Sequence, residues 1–235
     1  MAVPWPFIVG LIFSFVHYDG CLASEGAIPG IGSLQLVSSR EHIPRFVFER
    51  RWTRGISQIE RKRIVDEHNK FRKTVGASNM RKLSWDPYLE STAQAYADHC
   101  RFEHSKLSEV LGENIWAAQF IRSSLREAVR DWYNEVKNRS CHCGDTFAEC
   151  CGHYSQVIWA ETSRVGCGYA QCPSIITATG RHHLLVCHYL PAGNLVQVTP
   201  DGRYVGLPIF RKSEVQEEDC ADCPSDTKCD DGLCI

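Results

Sequence analysis

The chain has 235 residues, 43% of them apolar and 23% charged, with a formal net charge of -2. That length can bury a core of ordinary size, and the near balance of charge supplies no global field to draw in nucleic acid or an anionic membrane. Composition therefore describes a folded globular protein and assigns it no activity.

In chain order, the first signal is "FIVGLIFSFV" at residues 7–16, an apolar run too short to span a bilayer. It is followed by "HYDGCLAS", in which Ala23 is a small residue suited to cleavage. Residues 1–23 read as a secretory signal peptide, although no Lys or Arg precedes the apolar run. No later stretch approaches the roughly 18 apolar residues of a spanning helix. Cysteine parity agrees with this cut. The chain has 13 Cys, and removing residues 1–23 takes Cys21 away, leaving an even twelve suited to an oxidising compartment.

Residues 24–56 form a leader that turns basic toward "RFVFERRWTRG". Arg50-Arg51 reads either as a processing site or as part of an ordinary basic linker. The main domain is expected over 57–200. The linker and tail at 201–235 end in Cys220, Cys223, Cys229 and Cys234 with little apolar material, so crosslinks are expected to hold the tail's shape. Their spacing superficially matches a zinc ribbon, but in an exported chain the disulfide reading is preferred.

Within the main domain, Ser57 with Glu60 three residues later predicts a capping box. Ile64, Val65, His68, Phe71 and Val75 then follow on one helical face. Asp86 as a cap with Pro87 at the first position opens a second helix. A third carries Leu125, Val129, Trp132 and Val136 along one stripe. The segments "VGCGYAQC" and "HHLLVCHYL" read as two strands, expected to be antiparallel. Helices followed by strands imply an α+β layered domain.

The ionisable groups can then be placed. His104 is expected at the end of the second helix, and Glu113 behind a tight turn at Gly112. Continued α-helix would put Glu135 about 20° from Ala128, flanking the apolar face of the third helix. A carboxylate there needs a partner. His153 follows the crowded cysteines Cys141, Cys143, Cys150 and Cys151, whose pairing has three solutions. Asn138 opens an N-glycosylation pattern with Arg139 and Ser140. Taken singly, each His and Glu reads as structural, and spacing alone does not assemble them.

The motifs "DEHNKFR" (66–72), "GENIW" (112–116), "GHYSQVIWAETSRVGCGYAQC" (152–172) and "CHYLPAGNL" (187–195) resemble those of the CAP superfamily, over about residues 58–200. This group comprises cysteine-rich secretory proteins, insect venom allergens and plant pathogenesis-related proteins. The short tail resembles the hinge of the cysteine-rich secretory, glioma pathogenesis-related and peptidase-inhibitor branches, without an ion-channel-regulating domain. The resemblance implies an α-β-α sandwich around a central antiparallel sheet, plus a small disulfide-stapled tail. It further implies that His104, Glu113, Glu135 and His153 converge in an open cleft, where the two imidazoles hold zinc or another divalent cation and the acids fix them from behind. It pairs Cys100 with Cys172 and Cys167 with Cys187. Leu111 and Leu190 stand where longer relatives carry a further pair.

For function, the resemblance implies an exported, non-enzymatic binding protein whose partner is an extracellular protein, a sterol or a fatty acid. No organic cofactor and no nucleic acid are expected. The alternatives are a metal-dependent peptidase and a protease inhibitor. Against the peptidase stands the absence of H-E-x-x-H, and Ser155, two residues past His153, faces away from it in a helix or a strand.

Overall fold

The computed structural model describes residues 55–138, 143–147, 151–175, 180–212 and 220–235. The expected signal peptide, nearly all of the leader, Cys141, Cys150, and the Arg139-Ser140 half of the glycosylation pattern lie outside the described residues.

Four strands form the central sheet in the order β1 (Ser84–Trp85), β3 (Arg164–Cys172), β4 (His182–Leu190), β2 (Gly112–Ala118). As expected, β3 and β4 pair antiparallel, and β2 joins the far side of β4 in the same sense. Only the two-residue β1 runs parallel to its neighbour β3. Alternation along each strand sends side chains to two separate cores. On one face, Val165, Cys167 and Tyr169 of β3 and Leu185, Cys187 and Tyr189 of β4 meet Ile64, Val129, Trp132 and Val157. These last four come from helices α1 (Gln58–Lys73), α3 (Arg126–Tyr133) and α4 (Gly152–Val157), which make up one helical layer. On the other face, Ile115, Leu184 and Val186 pack under Ala93 and Ala97 of α2 (Pro87–Ala97). The α-β-α sandwich is therefore present.

Two glycines allow α2 to come so close. A Cβ on Gly166 would stand 2.1 Å from the backbone nitrogen of Glu90, and one on Gly168 would stand 2.3 Å from Cα of Gln94. Both residues alternate with the apolar side chains of β3, so each faces α2. The Cys100–Cys172 disulfide ties the chain just beyond α2 to the end of β3, and Cys167–Cys187 links residues directly opposite on β3 and β4. Both pairs are those the resemblance implied. Leu111 and Leu190 each stand one residue beyond the Gly112–Tyr189 pair that closes the β2–β4 ladder.

Helix starts follow the sequence signals, with one difference. Asp86 accepts from the N–H groups of Tyr88 and Leu89 at 2.8 and 3.0 Å, and Ser57 Oγ accepts from the Glu60 N–H at 3.2 Å. The Glu60 carboxylate does not complete a capping box. It accepts instead from Ser124 Oγ at 2.7 Å and the Leu125 N–H at 2.9 Å, securing the start of α3. The acid serves a helix distant in sequence because its neighbour's orphan donors lie within reach. The stripe on α3 is also interrupted. The helix tightens into a 3₁₀ turn over Asn134–Lys137, rotating Val136 outward to 37% exposure, while Leu125, Val129 and Trp132 stay buried.

The tail is crosslinked by Cys220–Cys229 and Cys223–Cys234, with a small hairpin of the strands Cys229–Asp230 and Leu233–Cys234. It also packs, which its polar composition did not announce. Leu233 is fully buried in the larger core, and Cys234 exchanges backbone hydrogen bonds with Met80 and Lys82, each of 2.8 Å. Among the described residues, the sulfurs of Cys220, Cys223 and Cys234 are the grouping of metal-type donors within 4.8 Å of one another. All three are oxidised, so the ribbon-like spacing serves cystines. In the crowded loop Cys143 pairs with Cys151.

Candidate functional site

The four groups singled out in sequence come together as two imidazole–carboxylate pairs. In the first, His104 lies in the loop after α2, which ends at Ala97 and so does not reach His104 as expected. Its partner Glu113 is the second residue of β2. Gly112 before it begins the strand and makes no turn; a Cβ there would fall 2.1 Å from Gln156 Oε1. His104 Nδ1 donates to Glu113 Oε1 at 2.8 Å, and the Ser105 N–H donates to the same oxygen at 2.9 Å. The Glu113 side chain is fully buried, whereas that of His104 is 37% exposed.

In the second pair, His153 stands in the first turn of α4, and Glu135 reaches it from the 3₁₀ turn after α3. His153 Nδ1 donates to Glu135 Oε1 at 2.6 Å, and the Tyr154 N–H donates to Glu135 Oε2 at 3.0 Å. The carboxylate thus occupies a free donor of the α4 first turn while it orients the ring. Trp132 lies nearly parallel to the His153 ring, at 17° and 6.2 Å between centroids.

Both pairs are anchored to β2. Glu113 belongs to it, and the adjacent Asn114, pointing to the other face, donates from Nδ2 to the His153 carbonyl at 3.1 Å. No hydrogen bond among the described residues joins one pair directly to the other. In both, the carboxylate takes Nδ1–H, and in the neutral ring this tautomer carries its lone pair on Nε2, on the remaining side. Among the described residues, neither Nε2 has a hydrogen-bond partner. A neutral imidazole held by a carboxylate through one nitrogen presents the other as a donor atom for zinc or a similar divalent ion.

Three contributors went unassigned in sequence. His188, fully buried on β4, lies directly opposite Glu113 and donates from Nε2 to Glu113 Oε2 at 3.0 Å, while Thr92 Oγ1 of α2 stands 2.8 Å from its Nδ1. Burial by itself would raise the Glu113 carboxyl, but hydrogen bonds from His104, His188 and Ser105 outweigh it and hold the group at about 2. Strand alternation in "HHLLVCHYL" places His188 on the face of Leu184 and Val186; its pairing with Glu113 needed the register, which no local pattern encodes. His68 was assigned to the buried face of α1 but not to a network. It donates from Nδ1 to the Ile64 carbonyl and accepts at Nε2 from the Tyr189 hydroxyl, each at 2.9 Å. The third is Arg72, fully buried, which donates to the carbonyls of Arg81, Val157, Trp159, Ala160 and Thr162 and so pins the chain leaving α4.

Ser155 is committed elsewhere, as expected: its hydroxyl lies 3.0 Å from the Cys151 carbonyl and 2.5 Å from Asn194 Oδ1. It makes no hydrogen bond to His153 among the described residues.

Comparison with known proteins bears on this arrangement. A family described as CAP, the cysteine-rich secretory protein family, matches residues 65–189. The protein lon-1 of Caenorhabditis elegans is 42% identical over 177 residues, a match covering 74% of this chain and 56% of that protein. GLIPR1-like protein 1 of Bos taurus is 33% identical over 215 residues, covering 78% of this chain and 80% of that protein. Among solved structures, NaASP2 with Zn2+ superposes with a TM-score of 0.62 at 26% identity, over 77% of this chain and 97% of that one. The match thus spans little more than half of lon-1 and most of the shorter relatives.

Proposed function

The chain belongs to the CAP family of cysteine-rich secretory proteins, and on that premise we propose that it is an exported binding protein, not an enzyme, with His104 and His153 holding a divalent cation such as zinc. The observation that carries this reading is the common geometry of the two rings: each is fixed through Nδ1 by its own carboxylate and keeps Nε2 available. Glu113 and Glu135 orient the ligands from behind, as the outer partners of metal-binding histidines do. The relative NaASP2, described with Zn2+, supports the choice of metal. When bound, such an ion offers open coordination positions to an oxygen-bearing partner. The partner is an extracellular protein surface or a sterol or fatty acid.

The commitments of Ser155 favour binding over hydrolysis, because the serine hydroxyl nearest His153 in sequence is turned to backbone and Asn194. Export accords with five disulfides among the described residues and with the absence there of any helix long and apolar enough to cross a membrane.

Equilibrium dialysis of purified protein against zinc tests the proposal. About one zinc per chain is expected, as for a single site built on two imidazoles. His153→Ala should abolish uptake while the circular dichroism spectrum stays unchanged. Uptake that survives both His104→Ala and His153→Ala places the metal elsewhere. Organic extraction of protein from its native medium, read by mass spectrometry, separates a lipid partner from a protein one. Steady hydrolysis of a peptide library, lost in Glu113→Gln, would replace the binding reading with a peptidase.

A further inference from the structure

The two imidazole pairs differ in one respect. The Glu135 carboxylate is held at Oε1 by His153 and at Oε2 by a backbone N–H, that of Tyr154. The Glu113 carboxylate is held at Oε1 by His104 and the Ser105 N–H, but at Oε2 by a side chain alone, His188. We infer that His188 is a positioning residue for His104: by locking Glu113 at its second oxygen, it fixes the ring orientation and tautomer of an imidazole it does not touch. The metal arm of this inference rests on the reading of His104 as a ligand; the tautomer arm does not.

His188 is well placed for the task. Its side chain is fully buried and lies across the β2–β4 ladder from Glu113. Its other strand partner is Gly166, against which the backbone of α2 packs. From that helix Thr92 Oγ1 reaches His188 Nδ1 at 2.8 Å. Glu113, as a carboxylate, only accepts, so His188 must bring a proton on Nε2, while its Nδ1 lies within hydrogen-bond distance of the Thr92 hydroxyl, which also stands 2.9 Å from the Leu89 carbonyl. A continuous line therefore runs from α2 through Thr92, His188 and Glu113 to His104. With both nitrogens engaged and no exposure, His188 is itself unavailable as a metal ligand. His104, by contrast, is 37% exposed and its ring is held by the Glu113 contact. Remove the donor at Oε2 and the carboxylate is held from the Oε1 side alone, by His104 and the Ser105 N–H, so it gains freedom to turn about its terminal bond and fixes the His104 Nδ1–H less tightly. Outer partners of this kind alter metal affinity by roughly 10–100-fold when replaced.

The experiment compares the full chain with His188→Leu, His188→Asn and His188→Gln. Leu and Asn withdraw the donor, the first by chemistry and the second by length. Gln carries an amide N–H long enough to reach Oε2. Long-range proton–nitrogen spectra of the imidazoles, recorded on metal-free protein, report each ring's tautomer. The expected result is a single Nδ1–H form of His104 in wild type and in His188→Gln, and a mixture of tautomers in His188→Leu and His188→Asn, with His153 unchanged in all four. Zinc affinity should fall roughly 10–100-fold in the Leu and Asn variants and recover in Gln. If His188→Leu does not fold, His188→Asn carries the comparison. A His104 tautomer that ignores all three substitutions overturns the inference, whatever zinc does. A tautomer that responds in protein taking up no zinc upholds the positioning role and overturns the metal reading alone.

Discussion

His68 offers a quantitative check on the buried side of the domain. The ring is fully buried and donates to the Ile64 carbonyl while accepting from Tyr189. Burial pushes its pKa from the ordinary 6.5 down to about 4; the positive charge of Arg72 adds to this, and the Ile64 hydrogen bond opposes it. Because the folded value lies below the unfolded one, the full stability is present above pH 6.5 and is lost as pH falls toward 4, where the unfolded chain takes up a proton that the native state refuses. At ~1.4 kcal/mol per tenfold change in proton activity, the loss over that window is about 3 kcal/mol. Urea unfolding followed by tryptophan fluorescence, with disulfides intact and at several pH values through the window, measures it in wild type and in His68→Gln. The wild type should lose about 3 kcal/mol more than the variant between neutral pH and the bottom of the window. Equal losses in the two proteins would refute the argument. A second decline belongs to Glu113, whose pKa is depressed from 4.5 to about 2: its stabilisation is complete above 4.5 and disappears as pH falls through that lower range.

Two further outcomes follow from packing. Gly168→Ala forces a Cβ against α2 backbone at 2.3 Å, where no flexible side chain can yield; we expect a loss of about 3 kcal/mol or more, seen as a fall in Tm on the order of 10 °C. Arg72→Met leaves five carbonyls, from Arg81 to Thr162, without their buried donor. Stability should drop by about 4 kcal/mol, and hydrogen exchange should speed up in the segment after α4 before it does in β3 and β4. Unchanged exchange there would mean that Arg72 does not organise that segment.

The capped starts of α1 and α2 and the antiparallel pair β3–β4 were legible in the residues, whereas only the resemblance, not spacing, singled out His104, Glu113, Glu135 and His153, which the structure joins as two pairs. Signals that act locally survived: an Asp-Pro helix start needs only its own next turn. What failed to show depended on distant partners. Glu60 reads as the second half of a capping box until Ser124 and Leu125 arrive beside it. The stripe through Val136 assumes continued α-helix, and the tightening after Tyr133 breaks it. Arg72 closes the motif "DEHNKFR" in a helix rich in cations, yet its burial among carbonyls depends on segments distant in sequence. Leu233 lies in a polar tail yet closes the core, because Met80 and Lys82 offer the Leu233–Cys234 backbone an edge.

Strand β2 sends Glu113 toward α2, where it holds the His104 ring, and Asn114 toward α4, where it holds the His153 backbone. Deleting one amino acid ahead of this dipeptide would flip both residues to the opposite faces, bringing the Asn114 amide to the Glu113 position beside His104 and Ile115 to the position that faces the His153 carbonyl. His104 would lose its carboxylate and the His153 backbone its amide donor in a single event, while Glu135 still held the His153 ring. Length variation should accordingly be confined to the loops around this strand and kept out of its interior.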